Sequence, residues 1–294
     1  MTQSRYVQAL LEDIAPGLEV SILEIVTSGD KILDSPLSQI GDRGLFVKEI
    51  EEALLAGDAD LAVHSAKDVP TALPDGLALL AYPEREDPAD VFVGPLASAA
   101  ELGPGRVIGT SSLRRRSQLL AAYPGLEVVD IRGNVETRIR KISEEGLDGT
   151  ILAAAGLKRL GRFAEASFVF TDEVMLSAVG QGSLAIEARA DDARIARLLT
   201  RLDHAETRAE VLAERALMRS LEGGCQVPIG ARARLTEGGF VLTAYVGDVD
   251  GRRSIRMERV GSSDDPEALG RALAADMIAG GADAILADVR GCAS

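Results

Sequence analysis

Cysteine is scarce in this 294-residue sequence, which contains only Cys225 and Cys292. It has no Cys-x-x-Cys motif and no cluster of histidine with cysteine. A disulfide framework or a structural zinc site needs more cysteine than this. We therefore expect no metal site and a reducing location, the cytoplasm.

Long apolar runs are also missing. No run approaches the roughly 18 residues that a membrane-spanning helix needs. The segment from Met1 to Leu11 lacks the basic start and apolar core of a signal peptide. We expect no membrane partner.

Aromatic residues make up 3% of the chain and its formal net charge is −14, a combination that disfavours nucleic-acid binding. The basic residues nevertheless cluster. The clusters are Arg114-Arg115-Arg116, then Arg132, Arg138 and Arg140, then Lys158-Arg159. Such clusters in an acidic chain indicate a small polyanionic ligand held in a cleft. The alternative is that each arginine lies on a solvated helix face.

Apolar runs with strand character alternate with helical stretches in the first part of the chain. We predict strands at Val20 to Ile25 and Leu61 to His64, with a helix over Phe46 to Leu55 between them. This order predicts βαβ units and a parallel sheet. The charged segment Glu84 to Pro88 marks a domain boundary.

A second series of elements follows that boundary. It has strands at Val91 to Val93, Val107 to Gly109, Val128 to Ile131 and Ile151 to Ala154, and a helix at Leu113 to Ala122. A return crossing is expected near Val179 to Gly182, after which Ser183 to Ala188 forms a strand that rejoins the first sheet.

The last third of the sequence predicts a helix, a meander of three antiparallel strands and a second helix. These elements are Ala205 to Leu221, then Ala231 to Leu235, Phe240 to Val246 and Ser254 to Val260, then Pro266 to Gly280. The C-terminus beyond them reads as disordered. We therefore predict an α/β protein of three domains: residues 1–84 with 183–200, residues 88–178, and residues 205–294.

Hydroxyl and basic residues fill the turn between the strand ending at Gly109 and the helix beginning at Leu113. The free N–H groups of a helix N-terminus bind anions, and adjacent arginines add bidentate bonds to carboxylates. Arg132-Gly133 follows the next strand in the same layout. The alternative is that Ser112 only caps the helix.

Lys67 and Asp68 directly follow a strand that reads as buried, so they should lie at the same ligand-facing edge. A carboxylate beside an ammonium group can stabilise a cationic intermediate and transfer a proton. A surface ion pair is the alternative. His64 is expected to be a packed strand residue.

Cys225 lies in a glycine-rich loop between a helix and a strand, where a thiolate could reach a neighbouring cleft as a nucleophile. The alternative is an inert thiol. Cys292 has no comparable setting and is treated as incidental.

Seven motifs occur here in the order found in porphobilinogen deaminases: HSAKDVPT, EREDP, GTSSLRRR, IRGN, AAGLKRLG, VGQG and LEGGCQVPIGA. The chain resembles that family along nearly its whole length. The resemblance implies two domains similar to those of periplasmic binding proteins and a third that presents the cysteine. It also implies a monomeric transferase of heme biosynthesis, which condenses four porphobilinogen molecules into hydroxymethylbilane with release of ammonia.

The resemblance further assigns the site residues. It implies a dipyrromethane cofactor in thioether linkage to Cys225, and a catalytic role for Asp68, which also contacts the cofactor. The remaining cofactor contacts that it implies are Lys67, Ser112, Arg114, Arg115, Arg132 and Gly133. The substrate contacts that it implies are Arg43, Arg138 and Arg159.

Two features depart from the family pattern. Arg43 stands where the family commonly has lysine, which keeps the charge but changes its geometry. The family also usually begins with a strand and a cofactor-binding turn that precede the first helix here. We therefore expect an upstream segment to be missing and the chain as written to be impaired.

Two other functional classes compete with this interpretation. A non-enzymatic anion-binding or effector-sensing protein could share the fold and the arginine-lined cleft, but it would have no use for Cys225 on its loop. A nucleotide-dependent enzyme is disfavoured because no glycine-rich phosphate-binding motif is present.

Overall fold

A computed structural model describes residues 1–27, 47–222 and 227–292. Arg43 and Cys225 therefore lie outside the described residues. Three β-sheets organise the described chain, and helices pack against each of them. The predicted mixed α/β fold with an antiparallel sheet in its last part is confirmed, whereas the domain boundaries remain predictions. The expectation that a strand precedes Met1 also remains a prediction.

The first domain is built on a sheet of three strands in the order β1-β8-β2, numbered along the chain. The strands are β1 (Leu61–Ser65), β2 (Leu77–Ala81) and β8 (Leu184–Arg189). Its helices are α1 (Thr2–Ile14), α2 (Lys48–Ala56) and α6 (Ala193–Leu199). Val7 and Leu11 of α1 and Leu199 of α6 pack on Ile186 of β8, so the apolar faces of these helices bury one side of the sheet.

Two predictions for this domain are wrong. β8 runs antiparallel to both of its neighbours, so the first sheet is not parallel. β1 and β2 run in the same direction, and β8 lies between them and runs in the opposite direction. Residues 20–25 form no strand, because they join no ladder in the described part of the chain. The predicted return of residues 183–188 to the first sheet is confirmed.

The second domain has a mixed sheet of five strands in the order β5-β4-β6-β3-β7. The strands are β3 (Asp90–Val93), β4 (Val107–Gly109), β5 (Glu127–Val129), β6 (Gly149–Ala153) and β7 (Phe168–Val169). β4 is parallel to β5 and β6, and β3 is antiparallel to β6 and β7. Its helices are α3 (Leu113–Ala122), α4 (Val135–Glu144) and α5 (Ala154–Arg159). The predicted bounds of α3 are confirmed.

The third domain contains the predicted antiparallel meander of β9 (Ile229–Thr236), β10 (Gly239–Gly247) and β11 (Ser254–Gly261). Its helices are α7 (Ala205–Ser220), α8 (Pro266–Ala279) and α9 (Ala282–Cys292). The expectation of a disordered C-terminus is wrong for residues 282–292. Ile285, Leu286 and Val289 of α9 recur at helical spacing and are buried in the core of this domain.

Two segments connect the first and second domains: the first crossing (residues 82–89) and the return crossing (residues 170–183). Glu214 of α7 joins both of them to the third domain. Its fully buried carboxylate accepts hydrogen bonds from Arg85 at 2.8 and 3.1 Å, from Gly180 N at 2.7 Å and from Ala233 N at 2.9 Å. This one side chain therefore fixes the junction of all three domains.

Candidate active site

Three strand ends lie near one another where the first domain meets the second. A short 3-10 turn, Ala66–Asp68, follows β1, while residues 110–112 follow β4 and residues 130–133 follow β5. Ser111 Oγ donates to the Ile131 carbonyl oxygen at 2.7 Å, which ties the last two turns together. These are the turns that we predict to face a ligand.

The turn after β1 presents a half-buried Lys67 and an exposed Asp68. Burial lowers the pKa of Lys67, and the neighbouring charges of Arg115 and Arg114 act in the same direction, opposed by Asp68 and Asp90. Lys67 and Asp68 thus interact with charges of the second domain, which a simple surface ion pair would not do.

Arg114 and Arg115 begin helix α3, and each is only 5% exposed. Arg114 Nη1 donates to Asp90 Oδ2 at 2.6 Å, and Arg115 Nη2 donates to Asp90 Oδ1 at 2.7 Å. Backbone carbonyl oxygens of Leu176 and Ile151 accept one further hydrogen bond each from these arginines, at 2.7 Å. Two guanidinium groups therefore share one buried carboxylate at the cleft edge.

Ser112 has the geometry of a helix cap, because its side chain accepts from Arg115 N at 3.4 Å. The structure thus supports the capping interpretation for this residue, which also fixes the first turn of α3 and with it the two arginines.

Arg138 lies on α4 and adds a further cation to the same region. Its Nε donates to the Gly133 carbonyl oxygen at 2.8 Å. Burial, together with the charges of Arg115 and Arg132, lowers the pKa of Arg138 to about 10 against the opposing effect of Asp68. Gly133 has a φ of +120°, and a side chain there would overlap Thr137, so glycine is required where the chain turns into α4.

The remaining basic residues of the predicted clusters lie elsewhere. Arg140 forms an exposed ion pair with Glu144, and Lys158 pairs with Glu86 at 3.0 Å. Arg159 donates to the Gly182 carbonyl oxygen at 2.6 Å, which places it against the return crossing. Burial lowers the pKa of Arg159, opposed by the nearby charges of Glu86 and Tyr6. Arg140 and Lys158 therefore fit the alternative interpretation, in which these basic residues form surface ion pairs and bind no ligand.

Three polar residues near these turns were not singled out from the sequence. Asp90 is fully buried between the arginines, and Gln181 Nε2 donates to it at 2.9 Å. Gln3 Nε2 of α1 donates to Ser65 Oγ at 2.8 Å, next to the turn that carries Lys67 and Asp68. The sequence did contain a signal for Asp90, because it is a carboxylate at the start of an apolar strand, two residues after Pro88.

The chemistry of this edge follows from its charges. Burial disfavours the positive charges of Lys67 and Arg138, and the charge of Arg115 adds to that effect on both, so anionic groups would relieve an unfavourable field. Asp68 is the exposed carboxylate among them. The edge can therefore bind a molecule with several carboxylates while Asp68 faces a developing cation.

Within the described ranges, no group of three or more histidine, cysteine, aspartate or glutamate side chains is arranged to hold a metal ion. None of the described helices is long and apolar enough to span a membrane. His64 is buried, as predicted, and its Nε2 lies 3.0 Å from Glu187 Oε2.

Comparison with known families decides the identity of the chain. The family model "Porphobilinogen deaminase, dipyromethane cofactor binding domain" matches residues 1–197, and the model of the C-terminal domain of the same enzyme matches residues 208–279. The chain belongs to the porphobilinogen deaminase family. The resemblance drawn from its motifs is therefore confirmed.

Relatives in the porphobilinogen deaminase family match almost the whole chain. The enzyme of Trichlorobacter lovleyi is 50% identical over 98% of this chain and 92% of its own length. That of Geobacter sulfurreducens is 50% identical over 98% of this chain and 90% of its own length. Immunogenic lipoprotein A from Vibrio vulnificus, a solved structure, aligns with 70% of this chain and 92% of its own at 13% identity, and its TM-score of 0.42 is too low to support any conclusion.

Proposed function

We propose that this chain joins four porphobilinogen molecules into hydroxymethylbilane, on a dipyrromethane cofactor held in thioether linkage by Cys225. The observation that carries the proposal is that Lys67 of the first domain and Arg138 of the second both interact with the exposed carboxylate of Asp68 and with the charge of Arg115. Membership of the family, whose matched model is named for the cofactor, adds independent support. From the sequence alone, we also propose that the protein is located in the cytoplasm and is a monomer.

The residues of the cleft edge suit this cofactor. A dipyrromethane of this family carries acetate and propionate groups, and the lowered pKa values of Lys67 and Arg138 mark cations that would gain from nearby carboxylates. Each charge-assisted hydrogen bond contributes about 1.5–3 kcal/mol. In this proposal the cofactor is held by Lys67, Asp68, Ser112, Arg114, Arg115, Arg132 and Gly133.

When bound, the cofactor supplies the pyrrole carbon to which the first substrate unit is added. Asp68 acts on the incoming substrate. Its carboxylate accepts a hydrogen bond from the pyrrole N–H and stabilises the cation that forms as the aminomethyl C–N bond breaks and ammonia leaves. The free pyrrole carbon at the end of the chain would attack the methylene carbon of this cation, and the ring that supplies the attacking carbon would then lose its proton to water. In this proposal Arg138 holds substrate carboxylates at this edge, and the family resemblance adds Arg159 and Arg43 as further substrate contacts.

The test is the intact mass of the purified protein. We expect wild type to exceed its sequence mass by two pyrrole units, and we expect Cys225→Ser to remove the excess. Cys292→Ser is the matched control and should retain it. A wild-type chain of unmodified mass that still makes tetrapyrrole would contradict the cofactor assignment. A chain that carries no extra mass and makes no tetrapyrrole would contradict the proposed function.

A further inference from the structure

Asp90 lies where the first crossing enters the second domain, and it is completely buried. Its two carboxylate oxygens divide between the two arginines that begin α3. Oδ2 accepts from Arg114 at 2.6 Å, and Oδ1 accepts from Arg115 at 2.7 and 3.1 Å. Burial alone would raise the pKa of Asp90, but the two guanidinium groups hold it well below its usual range. Asp90 therefore carries a permanent negative charge between the guanidinium groups of Arg114 and Arg115.

Asp90 is also connected to both crossings. Gln181 Nε2 donates to Asp90 Oδ1 at 2.9 Å and to the Pro88 carbonyl oxygen at 2.6 Å. The backbone carbonyl oxygen of Gln181 in turn accepts from Arg85 Nε at 2.9 Å. Through Asp90 and Gln181, the positions of Arg114 and Arg115 therefore depend on the two crossings that connect the first and second domains.

The reaction makes conflicting demands on these arginines. Each added pyrrole brings two carboxylates, which must be bound while the new bond forms and released as the chain lengthens. Two buried guanidinium groups without a counter-charge would hold carboxylates tightly, because charge pairs are strong where water is excluded. A fixed internal carboxylate reduces the charge that the arginines offer and occupies several of their donors.

We propose that Asp90 is a positioning residue that limits how tightly Arg114 and Arg115 hold the carboxylates of the growing chain. This inference rests on the proposed function. It assigns to Asp90 no contact with substrate, since the residue acts through the two arginines.

The test is Asp90→Asn, which keeps the size and one oxygen acceptor but removes the charge. We expect the variant to retain the covalent cofactor mass. With limiting porphobilinogen, a larger fraction of the variant than of wild type should remain as enzyme carrying one to three added units, resolved by intact mass. We expect kcat and KM both to fall by about tenfold, the effect of one charge-assisted hydrogen bond.

Asp148→Asn is the matched control. Asp148 also accepts from an arginine, Arg106 at 2.8 Å, but at the opposite end of β4 and partly exposed. The same chemical change there should leave kcat, KM and the mass distribution as in wild type.

A second variant, Asp90→Glu, keeps the negative charge and both carboxylate oxygens. We expect its KM and mass distribution to lie close to those of wild type. The inference is overturned if Asp90→Asn matches wild type in both readouts, if its KM rises while kcat is unchanged, or if Asp90→Glu shifts both readouts as far as Asp90→Asn does. A failure of Asp90→Asn to fold that Asp90→Glu does not share would make the role of the residue structural and would also overturn the inference. A wild-type protein that shows no pyrrole additions at all would instead overturn the proposed function.

Discussion

Arg85 and Glu214 form a two-pronged ion pair, with Nη1 2.8 Å from Oε1 and Nη2 3.1 Å from Oε2. Arg85 belongs to the first crossing and Glu214 to helix α7 of the third domain. Glu210 accepts from Arg85 Nη1 at 2.9 Å as well. Because these side chains are buried, the pair holds the third domain to the junction of the other two without competition from water.

Replacement of Glu214 by glutamine should destabilise the protein strongly. The variant leaves Glu210 as the one carboxylate that faces Arg85 and weakens the hydrogen bonds from Gly180 N and Ala233 N. Breaking a buried pair typically costs about 3–5 kcal/mol. The loss would be measured as the free energy of unfolding in urea. Asp276→Asn, which breaks an exposed pair with Arg259, is the control and should cost less than about 1 kcal/mol. Equal losses in the two variants would contradict the junction role.

Gly182→Ala tests the close approach of the two crossings. Gly182 has a φ of +86°, and a methyl group there would overlap the Glu86 carbonyl oxygen. Gly146 has a φ of +65° and nothing within 4 Å, so Gly146→Ala isolates the backbone penalty, about 1–2 kcal/mol. We expect Gly182→Ala to lower the stability measured by thermal unfolding clearly more than Gly146→Ala does, since the backbone of the first crossing must move. A cost no greater than that of Gly146→Ala would show that the crossings can separate freely.

Asp68→Asn should fold normally but turn over slowly. The side chain is exposed, so its replacement leaves no buried group unpaired. Loss of its charge should reduce turnover by at least about 10², the usual contribution of acid–base assistance. Asp75→Asn, an exposed aspartate in the same domain, should leave turnover unchanged. Near-normal turnover in Asp68→Asn would assign the catalytic role to another group.

Lys67→Met should stabilise the protein, and the gain should depend on pH. Burial lowers the pKa of Lys67, so the folded state disfavours its ammonium form. The loss in the free energy of unfolding caused by the buried ammonium group is complete below the lowered pKa. It disappears as the pH rises toward the ordinary lysine pKa of about 10.4. We therefore expect the gain in the free energy of unfolding in urea to shrink as the pH rises toward about 10. The measurement uses the Cys225→Ser background, with Lys48→Met as an exposed control; a gain that does not change with pH would contradict this prediction.

Local pattern was sufficient to predict several elements. The hydroxyl-rich turn and the helical stretch after it predict helix α3 from Leu113 to Ala122. The turn residues between the three strands of the meander predict those strands. The direction of β8 was beyond local pattern, since a strand that returns from another domain can enter the sheet either way.

The site was only partly predictable for the same reason. Arg138 and Arg140 are two positions apart and equally basic, yet they face different sides of α4, and only Arg138 interacts with Asp68. The part played by Asp90 depends on arginines that are 24 and 25 positions away in the sequence. Burial and partner choice of this kind arise only when the crossings bring distant segments together.

The central position of β8 determines the order in which the domains can fold while the chain is being synthesised. Among the described strands, β1 and β2 meet only through β8, which emerges after the whole second domain. Until then, the edges of β1 and β2 lack the partner that satisfies their backbone groups. The five strands of the second domain are contiguous in sequence and can assemble earlier. Biosynthesis should therefore complete the middle domain before the N-terminal one, the reverse of the usual vectorial order.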